Sequence, residues 1–336
     1  MYLDLKILFI NNSIVFNQLM KKKLNLLIIG SNFGKVHLKS AINSKMFRKI
    51  SISSPNIIKK KIPNLINKYS DFKKAIINEN FDMITIVTKP KIQSKVLDFI
   101  YKNKKFPKYL FLEKPILNES IKILKKFPEK FLFLTNFIYS FNSQWIKFKK
   151  KINKIKKLNS FKYEWFFKQA YYVNKKKTWK INPKLGGGLI NFYLPHSIFN
   201  ILNNFKSIRF IKINKKKYYQ KKLIYLEIVF LINEIYCSLI INNNSKINLH
   251  KLTLNSKNAE YLLINKTKKW LSNFRILKNN KEIIKPKKKI NLGDSRDKTL
   301  LNIYSNLNNY FSLKNVERNK LLTYKTFEII NLINKN

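Results

Sequence analysis

A chain of 336 residues with 69 Lys and Arg against 17 Asp and Glu, a formal charge of +52, still devotes 45% of its positions to hydrophobic side chains. That apolar content excludes a disordered basic tail, which stays unfolded for want of surface to bury, and the length suits two domains of roughly 150 residues. Only five cations are Arg (Arg48, Arg209, Arg275, Arg296, Arg318), and the lysines are spread along the chain, so the charge reads as compositional drift and not as a specific nucleic-acid footprint.

Residues 1–19 precede Met20, after which the run to Gly30 reads as the ordinary start of a nucleotide-binding domain. They are expected to be an N-terminal extension that translation from Met20 would omit. From 20 to 140, short apolar runs at Leu26–Ile29, Ile50–Ser53, Met83–Val87, Tyr109–Leu112 and Phe131–Leu134 alternate with amphipathic stretches such as Val36–Ala41, Phe72–Ile77 and Ile92–Tyr101. This alternation predicts an α/β domain, a doubly wound parallel sheet of the Rossmann type with helices on both faces.

From 141 to 336 the texture changes. Longer runs near Phe161–Phe167, Arg209–Ile213, Leu223–Ile232, Ile235–Ile241 and Asn248–Leu254 follow one another directly, and helical stretches near Lys298–Phe311 and Arg318–Ile333 close the chain. Strands in succession predict antiparallel pairing and an α+β second domain, with the Lys/Asn-rich stretch Lys278–Lys289 as a solvated loop. Cys237 is the single cysteine, so no intrachain disulfide forms and a buried, inert thiol is expected. No run approaches the roughly 18 apolar residues of a membrane span, and no basic segment precedes an apolar one at the N-terminus. A soluble cytoplasmic protein is expected, without membrane or specific nucleic-acid partners. Neither His37 nor His250 has a Cys or second His at ligand spacing, so no metal is expected; His37 is read as structural.

Glycine is scarce and its placement informative: Gly30 and Gly34 follow the first apolar run, Gly186, Gly187 and Gly188 form a cluster, and Gly293 alone lies elsewhere. The first pair sets a tight turn between a strand and a helix whose amides can hold a pyrophosphate. By itself that turn is equally a plain strand-turn-helix, because Asn32 stands where a second glycine is usual. The next strand ends in Ser53 and Ser54 with no carboxylate for a ribose hydroxyl, and Lys59–Lys61 lie nearby, which favours tolerance of a 2′-phosphate.

Two further segments decide the reading: Phe111-Leu-Glu-Lys-Pro-Ile116, and Gly186-Gly-Gly-Leu-Ile-Asn-Phe-Tyr-Leu-Pro-His196. In this order and separation they resemble the glucose-fructose oxidoreductase / inositol dehydrogenase (Gfo/Idh/MocA) family. Phe81–Pro90, Thr178–Pro183 and Asp294–Asp297 add to the likeness, which runs from about Leu24 to the C-terminus. The resemblance implies a Rossmann domain followed by a domain with a large open, mostly antiparallel sheet that serves substrate binding and oligomerisation. It also implies NAD or NADP as cofactor, hydride transfer to or from a sugar, sugar nucleotide or polyol, and a homo-oligomer, dimer or tetramer. Lys114 would hold the reacting hydroxyl and His196 would take or return its proton. Gly30, Ser31, Asn32, Phe33, Gly34, Ser53, Thr88, Pro90, Glu113 and Lys114 would face the cofactor. Lys114, Trp179, Lys180, Asn191, Tyr193 and His196 would face the substrate.

The residue types suit those roles. A Lys cation steadies a developing alkoxide and an imidazole titrates near neutrality. Pro195 fits the first turn of a helix, whose dipole would lower the His196 pKa. Trp179 offers a flat apolar face to a sugar and is equally suited to a core. One departure stands out, since the family often carries an Asp four residues before this histidine and here the position is Phe192, flanked by Asn191 and Tyr193. Two other readings therefore stay open: a catalytically silent member that binds cofactor and sugar as sensor or scaffold, and a basic binder of nucleic acid or anionic surfaces, which needs a contiguous basic face.

Overall fold

Side chains of Leu24–Ile29 (β1) alternate between two faces that are both covered. Leu27 and Ile29 pack with Ala75, Val96 and Ile100, whereas Leu26 and Ile28 pack with Leu38, Ala41 and Leu300. A strand buried on both sides reads as an unbroken apolar run, the property that made these segments visible. β4 (Met83–Ile86), β5 (Tyr109–Glu113) and β6 (Phe133–Asn136) are likewise buried at every residue, and β2 (Phe47–Ser53) is buried at Phe47 and from Ile50 onward. With the short β3 (Asn67–Tyr69) they form a six-stranded sheet in the order β3-β2-β1-β4-β5-β6, parallel throughout. The helices between them are α1 (Gly34–Ser44), α2 (Phe72–Asn78), α3 (Pro90–Lys102) and α4 (Asn118–Leu124). β6 starts two residues later than expected because the Phe131 N–H is held in a turn by Pro128 O at 2.9 Å.

The computed structural model describes residues 23–336 apart from 60, 156, 176–177, 206–207 and 286–295, so the expected extension at 1–19 and Gly293 lie outside the described residues. Helix α5 (Ser143–Ile152) starts at Asn142, whose side chain accepts from the Gln144 and Trp145 amides. After it come β7 (Leu158–Lys168), α6 (Ala170–Asn174) and a π-turn at Leu189–Tyr193 that runs into α7 (Leu194–Asn204). Then β8 (Ile208–Tyr219), β9 (Lys222–Ile232), β10 (Ile235–Asn242), β11 (Asn244–Ser256), β12 (Ala259–Asn265), β13 (Arg275–Lys278) and β14 (Lys281–Ile284) complete an eight-stranded sheet. Its order is β14-β13-β12-β11-β7-β10-β9-β8, and only β7 with β10 is parallel.

Three of its hairpins turn through two residues with positive φ at both: Gln220-Lys221, Asn233-Glu234 and Asn279-Asn280. Glycine usually serves there; a glycine-poor chain uses Asn and long polar side chains instead. The last of these corrects the solvated loop expected at Lys278–Lys289. Its described part is the β13–β14 hairpin, where Ile284 pairs with the buried Ile276 and the abundant lysines masked the alternation.

The expected closing helix at Lys298–Phe311 is two pieces, α8 (Asp297–Ser305) and α9 (Leu307–Tyr310), broken at Asn306, whose side chain donates to Asn302 O. α10 (Leu313–Lys335) follows. Leu300, Ile303, Tyr304, Leu307, Phe311 and Val316 pack on the parallel sheet beside α1, whereas Phe327, Ile330 and Ile333 join the core shared with the eight-stranded sheet. The C-terminal segment thus clasps the first sheet although it follows the second in sequence. No described helix is long and apolar enough to cross a membrane. Cys237 is buried, and burial pushes its thiol up to about 11, as expected of an inert side chain.

Candidate active site

Strand order reverses between β1 and β4, and their carboxyl ends form the crevice where ligands of such sheets bind. Gly30 sits there with φ +111°, and a Cβ on it would stand 2.4 Å from Val87 O. The strands are zipped tightly at this level: Gly30 N donates to Ser53 O at 2.7 Å and Val87 N to Ile29 O at 2.8 Å. Helix α1 then begins with no side-chain cap and no acidic residue in its first turn, so its first amides point into the crevice without a side-chain partner. Ser31 Oγ lies 2.9 Å from Ser54 Oγ, Ser53 is buried, Asn32 is exposed, and the half-buried Phe33 ring lies 3.9 Å from the Arg296 guanidinium. Thr88 donates to Lys89 O, and Pro90 opens α3. Uncapped helix amides flanked by hydroxyls fit a dinucleotide's pyrophosphate.

Glu113, grouped by resemblance with the cofactor residues, turns its carboxylate inward. Its Oε1 accepts from His37 Nε2 at 2.9 Å and from the Asn136 amide, while Gln93 Nε2 donates to its backbone carbonyl. His37 Nδ1 lies 2.8 Å from the Tyr304 hydroxyl, which lies 3.2 Å from Thr85 Oγ1. This buried network links α1, β4, β5, β6 and α8, and it fixes the end of β5 from which Lys114 projects. Tyr304 carries no sequence signal for this role, since its partner His37 lies 267 residues away.

The triple glycine is a crossing point. A Cβ on Gly187 would stand 2.3 Å from Trp179 O, so only glycine lets the Trp179–Ile181 turn lie against the chain there. That crossing gathers side chains around Phe192. The Trp179 ring meets it edge-on at 5.5 Å, Lys180 Nζ lies 5.3 Å from its centre, and Lys114 Nζ lies 3.5 Å from it and donates to Phe192 O at 3.0 Å. Where a carboxylate would leave an ion pair, Lys114 has an aromatic face and a carbonyl. Tyr193 packs on Trp165 and Phe167. Asn191 is committed elsewhere: it donates to Pro183 O at 3.4 Å and accepts from Asn334 at 3.0 Å.

His196 lies in the first turn of α7, after Pro195, and is 4% exposed. Phe137, Tyr139 and Trp165 surround it, with ring centres 6.1, 5.4 and 6.1 Å away, and its Nδ1 is enclosed without a hydrogen-bond partner. Burial holds its pKa well below the ordinary value, reinforced by the Lys114 charge and by His250. The expected helix-dipole cause is corrected, because the preceding π-turn carries the helical chain back to Leu189 and removes His196 from its start. Burial also pushes the Lys114 ammonium well down, opposed by Glu113 and reinforced by Lys180 and Arg296. Both groups are biased toward their proton-free forms.

His250 lies behind this site, with Nε2 2.7 Å from the Tyr163 hydroxyl and its ring stacked on Trp165 at 5.0 Å. Burial lowers its pKa to about 3. Because the folded value lies below the unfolded one, its stabilising contribution is complete above pH 6.5 and is lost as the pH falls toward 3. Each pH unit in that window costs about 1.4 kcal/mol from this one side chain. Between pH 7.5 and pH 5, as read by denaturant unfolding, His250 should therefore contribute about 2 kcal/mol of lost unfolding free energy, to which the buried His196 adds its own loss, and His250→Phe should remove the His250 share alone.

No family model matches the chain, and no curated protein matches its sequence. Solved structures do match over nearly the whole chain. The transcriptional regulator Gal80p of Kluyveromyces lactis superposes with a TM-score of 0.72 at 12% identity, covering 94% of this chain and 92% of that one. An oxidoreductase of Agrobacterium radiobacter, in complex with NAD+, L-tartaric acid and magnesium, gives 0.72 at 12% identity over 92% and 95%. Levoglucosan dehydrogenase in complex with NADH gives 0.71 at 13% over 93% and 97%. These neighbours are of the Gfo/Idh/MocA type, and the chain shares their fold.

Within this fold, Gly30, Ser31, Asn32, Phe33, Gly34, Ser53, Thr88 and Pro90 line the carboxyl ends of β1, β2 and β4. Lys114, Trp179, Lys180 and Tyr193 meet around Phe192, and His196 is close enough to feel the Lys114 charge. Asn191 and the Glu113 carboxylate are turned away. Arg296 reaches the Phe33 ring from the start of α8; its segment belongs to the resemblance, which gives this arginine no role.

Proposed function

We propose that this protein is a nicotinamide-dependent oxidoreductase that moves a hydride between NAD or NADP and a hydroxyl- or carbonyl-bearing carbon of a sugar, sugar nucleotide or polyol. The observation that carries the proposal is the placement of Lys114, whose Nζ donates to Phe192 O four residues before the buried His196, beside an uncapped turn at the switch point. The cofactor, when bound at Gly30–Gly34, supplies the hydride donor or acceptor.

The chain's own groups do the rest. Lys114 donates to the substrate oxygen in place of Phe192 O and steadies the charge that develops there. Because His196 Nδ1 is enclosed, Nε2 exchanges the proton. Trp179 and Phe192 give the sugar's apolar face a surface and keep water from the reacting oxygen. Ser53 at the end of β2, with Lys59, Lys61 and Lys68 around the hollow beyond it, supports acceptance of a 2′-phosphate, so NADPH should serve at least as well as NADH. Assembly as a dimer or tetramer through the eight-stranded sheet and a cytoplasmic location, suited to one buried thiol, complete the reading.

Its experiment is an assay of carbohydrates with either reduced cofactor, following loss of the nicotinamide absorbance. Lys114-dependent turnover is expected. In the alcohol-oxidising direction the acid limb should lie below the ordinary imidazole pKa of 6.5, because the base form of His196 persists there. Full cofactor binding with no turnover of any carbohydrate would instead favour a silent sensor or scaffold, the reading that Phe192 and the likeness to the regulator Gal80p support.

A further inference from the structure

Four touching rings behind the substrate side of His196 each carry a polar atom that no side chain or backbone group satisfies. Tyr139, in the turn between β6 and α5, is fully buried. Its ring meets edge-on those of His196 in α7, at 5.4 Å, and of His250 in β11, at 4.9 Å. Trp145 of α5 lies 5.2 Å from Tyr139 and 5.3 Å from His250. The Tyr139 hydroxyl, His196 Nδ1, His250 Nδ1 and Trp145 Nε1 are all enclosed with no hydrogen-bond partner among the described residues. Phe137, Trp165 and Phe274 pack around them and keep bulk solvent out.

Other buried imidazole nitrogens in this chain are paired. His37 is held at both, by Tyr304 and Glu113, and His250 Nε2 lies beside the Tyr163 hydroxyl. A polar atom buried alone is costly, so several among one set of rings point to a small polar partner shared between them. Water is the partner such a place takes, since an internal water needs roughly two to four polar neighbours. The hydrogen bond made by one imidazole nitrogen decides what the other can do. Position 192, four residues before His196, supplies a ring and no carboxylate, so the hold on this imidazole comes from behind it.

We infer that ordered water occupies the enclosure and joins His196 Nδ1 to the Tyr139 hydroxyl, so that Nδ1 carries the proton of the neutral imidazole and Nε2 keeps its lone pair. Resting on the oxidoreductase reading, this makes Tyr139 a positioning residue, which acts through His196 and is itself buried away from substrate and cofactor. When Nε2 takes the substrate proton, the imidazolium keeps its Nδ1–H on the water, and no proton passes through the enclosure.

The experiment is heteronuclear NMR of the full chain labelled at histidine, with spectra of His196→Gln and His250→Phe to assign its three imidazoles. Wild-type His196 should carry its proton on Nδ1. Tyr139→Phe keeps the ring and removes the hydroxyl; it should move that proton in part to Nε2 and lower kcat about tenfold, with KM and cofactor affinity unchanged. A crystal structure of the wild type should show ordered water within about 3.2 Å of His196 Nδ1. A wild-type proton on Nε2, a dry Nδ1, or a tautomer indifferent to Tyr139→Phe would overturn the inference, and the first two need no variant that folds. None of these three readouts needs turnover. A protein with a wet, Nδ1-protonated His196 that reduces no carbohydrate would therefore lose the oxidoreductase reading and keep the water site.

Discussion

Lys114→Met lowers turnover by about a thousandfold while cofactor affinity and stability stay close to wild type. The methionine keeps the unbranched stem that lies on Phe192 and removes the amine that would hold the substrate oxygen. Its loss leaves Phe192 O without that donor, at a cost of about 1 kcal/mol, and at the same time relieves the desolvation of a charge. A second consequence separates this role from a structural one. The Lys114 charge helps hold the His196 pKa down, so without it the acid limb of any residual oxidation rate moves to higher pH. Steady-state rates across pH, beside a cofactor titration, measure both effects; parallel loss of turnover and cofactor affinity would contradict the assignment.

Gly30→Ala has the largest expected effect on the cofactor site. At φ +111° the new methyl would meet Val87 O at 2.4 Å, a backbone atom that cannot rotate aside. Relief requires either the Gly30 backbone to leave the left-handed region or the ends of β1 and β4 to separate, breaking the bond from Val87 N to Ile29 O. Strain and overpacking together should cost about 3 kcal/mol. Cofactor affinity should fall more than about tenfold, since the amides of α1 shift with the turn. Denaturant unfolding with the two cofactor titrations measures the pair of losses.

The parallel sheet was legible because covered strands such as Leu26–Ile29 are apolar on both faces and helices at regular spacing separate them. The segments that carry Lys114 and His196 stand out in the sequence because a Pro after the lysine and three glycines before the histidine are conspicuous in this composition. What the linear pattern concealed depends on distance in sequence or on direction in space. The Glu113 carboxylate belongs to His37 and Asn136 and not to the crevice, and nothing local announces that. Tyr304 reaches His37 only because α8 returns to the first sheet. Phe192 read as a missing carboxylate, whereas in space its ring and carbonyl organise two lysines and a tryptophan. The β13–β14 hairpin hid in lysines because an edge strand needs few buried side chains and its Asn-Asn turn lacks glycine.

Titration with NADH and with NADPH, followed by nicotinamide fluorescence at low salt and at about 0.15 M salt, bears most directly on the central claim. A chain of formal charge +52 attracts any phosphate when salt is low, so only the higher-salt arm discriminates. Saturable binding that persists there, and that Gly30→Ala weakens more than about tenfold, is the predicted result. Binding that disappears with salt, or that is indifferent to Gly30, would contradict a dinucleotide site and with it the oxidoreductase reading.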